Sequence, residues 1–371
     1  MTKTRHIAGT FLIHADASFL NGAGLGDGEN RNVTVPKLLK DQKDEVPYVS
    51  SQAWKRWLRN TMIEETGWPA SELTSIGKAN EKGTTTKIAG KLDPVGYAED
   101  DLFGYMRAQE GQGKKVKAED ADTDADAGEE EEKPNKPVKT KALVRASPFS
   151  ASLLVSVRKK GWRGHDEGFV HLKEGTPLPY ATQFYTTHLQ GVFCLAHCRV
   201  GVFSNAGDRI ELDESKAKGY LADGKIKAID GGYELVNCDQ SRKERSGALL
   251  KALTVLRGGA KQAAFGTDVA PKFIIMAGLS CGNPIFNHLF TDTAETGLIF
   301  KKDAFLEILK DYADRITTPI FIGLRAGYVA NENEIKELAG EHELERGEEK
   351  HKVSVVVSTP IEAAEAFAGL I

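Results

Sequence analysis

A chain of 371 residues can bury a large core, and 40% hydrophobic with 27% charged residues is an ordinary soluble composition. No apolar run approaches the ~18–20 residues that span a bilayer, and the alternating N-terminus reads as a strand rather than a signal peptide. Four cysteines (Cys194, Cys198, Cys238, Cys281) make no disulfide framework, so a cytoplasmic protein with no membrane partner is expected. The net charge of −4 hides two acidic segments: residues 118–137 carry −7 and residues 331–350 carry −5, leaving +8 on the remainder. An acidic total is therefore compatible with a basic groove.

Residues 5–14, "RHIAGTFLIH", alternate as a first strand. A glycine-rich loop follows, "SFLNGAGLGDGENRN", and then a helix with Ser50 as N-cap. Trp54, Trp57, Leu58 and Thr61/Met62 recur at helical spacing and form a buried stripe. Lys55, Arg56 and Arg59 lie off it, near a helix end that already carries partial positive charge. Such cations invite an anion.

Residues 67–141 are polar, with modest helical patches, and read as an insertion holding a disordered acidic loop at about 118–137. The core resumes with the strand "ASLLVSV". Residues 159–183 are basic, aromatic and punctuated by Gly and Pro, as in a protruding hairpin. Residues 184–203 are the longest strand-like run. Residues 242–257 predict an amphipathic helix with Leu249, Leu250, Leu253 and Leu256 inward and Arg242, Lys243, Arg245 and Lys251 outward. "PKFIIMAGL" is a further buried strand. Strand, helix, strand, strand, helix, strand is the ferredoxin-like order of RNA-recognition folds. A helix near "KDAFLEILKDYADRI" and a strand near "KVSVVVS" complete the chain.

Several chemistries fail on spacing. "GAGLG" opens no helix, "GGAKQ" lacks the P-loop spacing, and "HELER" lacks the second histidine of a zinc protease. On one strand Cys194 and Cys198 would face away from His197, which argues for core rather than zinc. Asp16 and Asp27 could hold a metal but are ordinary loop acids. What remains is a series of anion-seeking elements: the Asn21 loop, the helix start with Ser51, Gln52 and three cations, the Gly258–Gly259–Lys261 turn, and the basic hairpin. Contacts in series suit a single-stranded polyanion better than one phosphate.

"LNGAGLGDGENRN…VPYVSSQAWKRWLRNTM", "DLFGYM", "RASPFSASLLVSV" and "GGAKQAAFGTDVAPKFIIMAGLSCGNPIF" resemble, in order over residues 6–290, the DevR family of CRISPR-associated proteins. That family supplies the repeating backbone subunit of the type I-B Cascade complex. The resemblance implies an α+β fold: a modified RNA-recognition-motif (ferredoxin-like) palm at 1–66 and 142–371, a helical finger insertion at 67–141, and a β-hairpin thumb at about 159–183. It implies RNA contacts from Asn21, Ser51, Gln52, Lys55, Arg56, Arg59, Gly258, Gly259, Lys261 and Gln262, and a thumb carrying Trp162, Arg163, Phe169 and Leu172. The implied partners are CRISPR RNA, the target DNA strand paired to it, further copies of the chain and other Cascade subunits. No cofactor, metal or catalytic residue is implied. The alternative is a metal-dependent RNA endonuclease of the related type III backbone kind, using a first-loop aspartate.

Overall fold

The computed structural model describes residues 3–26, 32–41, 43–72, 74–80, 83–107, 142–170, 178–207, 209–346 and 349–371. The 118–137 tract, Asp27 and Leu172 lie outside them, as does the side chain of Phe169.

β1 (His6–Ser18) is buried on both faces because its period-2 pattern is apolar in both registers. Ile7, Phe11 and Ile13 enter one hydrophobic cluster, and Ala8 and Leu12 another. Gly9 is obligatory there, since a Cβ would lie 2.3 Å from Phe193 Cζ and 2.4 Å from the Ile275 carbonyl oxygen. The main sheet also holds β2 (Leu38–Asp41), β3 (Asp44–Val49), β4 (Leu154–Ser156), β5 (Arg163–Val170), β6 (Leu178–Leu195), β7 (Phe273–Leu279), β10 (Ile320–Leu324), β11 (Gly340–Arg346) and β12 (Glu349–Ser358), with the short strands Gly22–Leu25, Val33–Pro36 and Phe149–Ala151 beside them, while β8 (Phe290–Thr293) and β9 (Gly297–Phe300) pair as a separate hairpin. The sheet order is β11-β12-β10-β7-β1-β6-β4-β3-β2. Every neighbouring pair at its centre is antiparallel.

Helices α1 (Ser51–Thr66), α3 (Cys238–Thr254) and α5 (Pro360–Leu370) cover one face, packing Trp54, Leu58, Leu249, Leu253 and Phe367 against β1, β6 and β7. Between them in sequence lies the short α2 (Ala98–Phe103). The opposite face of β1 and β7 is covered by the C-terminal layer, where Phe290 of β8, Phe300 of β9 and Phe305 of α4 (Lys302–Asp311) close over Phe273. Taken in chain order, β1, α1, β4, β6, α3 and β7 form a βαββαβ unit with strand order 4-1-3-2.

β6 is 18 residues long because it serves two structures. Its second half is a central strand of the sheet, and its first half pairs with β5, from Arg163 opposite Tyr185 to Val170 opposite Leu178. The strand read over 184–203 ends at Leu195: His197–Arg199 form a 3-10 turn, with buried His197 bonded to Ser246 Oγ at 3.0 Å. Two outward assignments on α3 are corrected. Arg242 is buried and donates to the Val200 carbonyl, and Arg245 reaches Asp101 at 2.6 Å and the Pro94 and Val95 carbonyls. The helix is flanked on that side by a second unit, which a single helical wheel cannot reveal.

That unit does not follow the 67–141 boundary. Strand Ala142–Arg145 pairs with both Tyr105–Arg107 and Arg209–Ile210. Residues 200–237 add a three-stranded sheet and a helix with their own small core. The described part of 67–107 holds a hairpin, Thr74–Asn80 with Gly83–Ala89, and the six-residue α2. The implied finger is thus more strand than helix among the described residues.

Candidate nucleic-acid interface

Ser50 caps α1 with its side chain on the Ala53 N–H, and its own N–H donates to Asn21 Oδ1 at 3.0 Å. Asn21 is therefore the strut between the first loop and the helix start. Its carbonyl also receives the Lys37 N–H. Beside it, the Leu20 N–H donates to the buried Tyr185 hydroxyl, and the Leu20 carbonyl accepts the Ala260 N–H at 3.0 Å. The loops after β1 and α3 are thus joined by a backbone hydrogen bond.

The turn at 258–262 is shaped by what it packs on. Gly258 (φ 151°) lies so close to Trp57 that a Cβ would sit 2.3 Å from its Cγ. Gly259 (φ 115°) leaves the same room for Leu20 and Gln262. Gln262 donates back to the Gly258 carbonyl, closing the turn. Lys261 adopts a left-handed conformation, with its ammonium 5.0 Å from the Phe19 ring and 2.6 Å from Thr182 Oγ1 at the foot of the β5–β6 hairpin. Asn21, Ser51, Gln52, Gly258, Gly259, Lys261 and Gln262 therefore share one surface, although more than 200 residues separate them in the chain. The helix start adds first-turn N–H groups with no intrahelical partner.

The three α1 cations divide. Arg56 and Gln52 are exposed, and Arg56 has no ion pair among the described residues. Lys55 instead donates to Ser147 Oγ and the Phe149 carbonyl, both at 3.0 Å, and burial with Arg59 nearby lowers its pKa to about 8. Arg59 Nε lies 3.1 Å from Glu99 Oε2, and its guanidinium covers Phe103. Burial nevertheless outweighs Arg59 and raises the Glu99 pKa. Arg59 thus binds the second unit and Lys55 the segment that leads from it into the main sheet, uses hidden in sequence because the acceptors lie far along the chain.

The thumb residues are also redistributed. Trp162 is 4% exposed and donates its indole N–H to the Glu45 carbonyl at 3.1 Å, so it anchors the hairpin's base rather than its tip. Arg163 stacks on Trp162 and pairs with Glu45 at 3.1 Å. Phe169 lies opposite Pro179 in the ladder.

Sequence reasoning missed the connection that holds α2 in place. Asp101 is fully buried between Arg145 and Arg245, and Arg145 also reaches Glu211 at 2.6 Å. The arginine partners of Asp101 lie 44 and 144 residues further along the chain. Asp16 is exposed and accepts from Thr186 Oγ1 at 3.2 Å. No group of three metal-ligating side chains gathers there or elsewhere among the described residues.

No family model matches this chain, and no curated protein matches it. Solved structures do. A chain of a CRISPR RNA-guided surveillance complex aligns over 98% of this chain and 99% of its own, at 12% identity with a TM-score of 0.51, in a state described as pre-nicking. Another such complex gives the same coverages at 13% identity and a TM-score of 0.49. At this identity the likeness establishes the fold: the chain is similar in fold to a subunit of a CRISPR RNA-guided surveillance complex.

Proposed function

We propose that this chain is a guide-RNA-binding backbone subunit of a CRISPR surveillance complex, of the DevR kind found in type I-B Cascade, acting in the cytoplasm as a binding protein rather than an enzyme. The observation that carries the reading is the convergence of the first loop, the α1 start and the 258–262 turn on one surface offering Gln52, Arg56, Lys261 and first-turn N–H groups. Support comes from the 4-1-3-2 strand order, which suits an RNA-recognition-motif palm, and from the fold shared with a surveillance-complex subunit over nearly the whole chain. The β5–β6 hairpin is the thumb of this reading and 67–141 its finger. Several copies line one guide RNA and present it to a complementary DNA strand beside other subunits.

The test is co-purification followed by salt titration. The wild-type protein should carry a short RNA ending in a repeat-derived handle. Arg56→Glu with Gln52→Ala should weaken binding to all sequences alike and reduce the log–log salt slope by roughly 0.7 per lost phosphate contact. Recovery without RNA, or an unaltered slope in the variant, refutes the reading. Incubation with magnesium should leave the RNA intact, and regular fragments would favour the endonuclease.

A further inference from the structure

On the sheet face turned away from α1 and α3, a trough of about 1010 Å³ runs over β4, with Leu153, Val155 and Val157 as its floor. One wall is the β8–β9 hairpin with Asn287 and His288, and the other is the Lys159–Gly161 turn. Around that turn the trough meets a second cleft of about 640 Å³ that reaches Lys40 and Lys43 between β2 and β3.

The charge along this path is positive. Lys40, Lys43 and Lys301 have no ion pair among the described residues, and Lys160 only approaches Asp44 at 3.9 Å. Of the four lining acids, Asp292 is held by Arg158 at 3.0 Å and Glu45 by Arg163 at 3.1 Å, Asp44 faces Lys160, and Glu295 is exposed on the rim. His288 is exposed in a left-handed conformation (φ 58°), its N–H accepted by Asn287 Oδ1 at 2.9 Å. An apolar floor, cations along both rims and a presented imidazole are what a single strand uses, with backbone on the charges and bases on flat or apolar surfaces. A small phosphate would leave most of the trough empty, and an acidic polypeptide would have no use for the imidazole face. The trough and α1 lie on opposite faces of the sheet, and the cleft at Asp44 is set a further strand's length, about 17 Å, from Val49 at the foot of α1.

We propose that this trough is a second binding site for single-stranded nucleic acid, distinct from the strand held at α1. It goes beyond the proposed function, on which it rests only for the identity of the first strand.

The test uses the full chain purified with its RNA and titrated with a fluorescein-labelled 15-nucleotide oligo-dT, read by anisotropy. Lys40→Glu/Lys43→Glu/Lys301→Glu should weaken oligo-dT binding at least tenfold and reduce the salt slope by about 2, with the co-purified RNA retained. His288→Ala should weaken it about fivefold or more. Arg56→Glu should do the reverse, losing RNA while keeping oligo-dT, so failure of this site and failure of the α1 site give different patterns. Should the triple glutamate variant not fold, the triple glutamine variant is measured instead, with the same direction expected. Equal oligo-dT binding by the loaded wild type and the lysine variant overturns the proposal. So does a polyglutamate peptide that competes as well as oligo-dT and ignores His288→Ala, because the trough would then be a surface for an acidic protein.

Discussion

Gly258 and Lys55 show how one residue's surroundings decide its role. Gly258→Ala would place a Cβ against Trp57 in a backbone conformation that alanine resists. We expect a loss of about 1–3 kcal/mol in urea unfolding, together with weaker RNA binding because the turn carries Lys261. An unchanged midpoint would mean that the turn relaxes freely. For Lys55, burial places the folded pKa at about 8, below its ordinary value. Between about pH 8 and 10.5 the unfolded chain therefore binds more protons, and the Lys55 contribution to stability rises with pH. Lys55→Met should remove that rise, so its stability relative to wild type falls between pH 7.5 and 10. The RNA salt slope, which falls in Arg56→Glu, should hardly change in Lys55→Met. A parallel pH dependence in wild type and Lys55→Met would show that the ammonium is not desolvated.

At the scale of elements, the packing of α2 depends on Asp101. Asp101→Ala leaves Arg145 and Arg245 buried without their shared carboxylate, and about 3–5 kcal/mol of stability should be lost. A loss under about 1 kcal/mol would show that other acceptors replace it. Two histidines, one half-buried and one buried, couple elements in a pH-dependent way. His188 of β6 stacks on His14 and bonds the Tyr328 hydroxyl at 2.9 Å, and His197 packs on α3. Burial holds both near pKa 4, despite Asp292 beside His188. The unfolded chain thus binds more protons between about pH 4 and 6.5, and stability is lost as pH falls through that window. Each imidazole contributes about 2–3 kcal/mol to the loss by pH 4. The gap between the urea midpoints at pH 7 and pH 5 should narrow in His188→Gln, with the His197 share remaining, and unchanged spacing would exclude His188 as an origin.

For the whole molecule, the β5–β6 hairpin is the extension of a central strand beyond the ladder that it shares with β1. Replacing residues 167–181 with Asn-Gly retains the Asp166–Thr182 pair and the Lys261 anchor on Thr182. The shortened protein should remain folded and still bind short RNA. In light-scattering chromatography with RNAs of increasing length, its complexes should cease to grow by whole copies, whereas the wild type's should continue. Equal growth in both proteins would remove the hairpin from copy-to-copy contact.

Local pattern sufficed where a segment's neighbours are its own. The α1 stripe, the Ser50 cap, the leucines of α3, the buried strand before Leu279 and the hairpin after residue 159 follow from periodicity and turn residues, because burial on one face repeats with the element's own period. Asn21, Gln52 and Lys261 were also legible as polar groups flanking glycines and a helix start. What tertiary structure alone decided was which charges stay available. Lys55, Arg59 and Arg245 have the same composition signal as Arg56, but they meet carboxylates, carbonyls or a hydroxyl brought from dozens to more than a hundred residues away. Arg242, although its carboxylate Asp239 is one turn away, is buried against the Val200 carbonyl 42 residues before it. A cation's partner is set by distance in space, and no one-dimensional period encodes it.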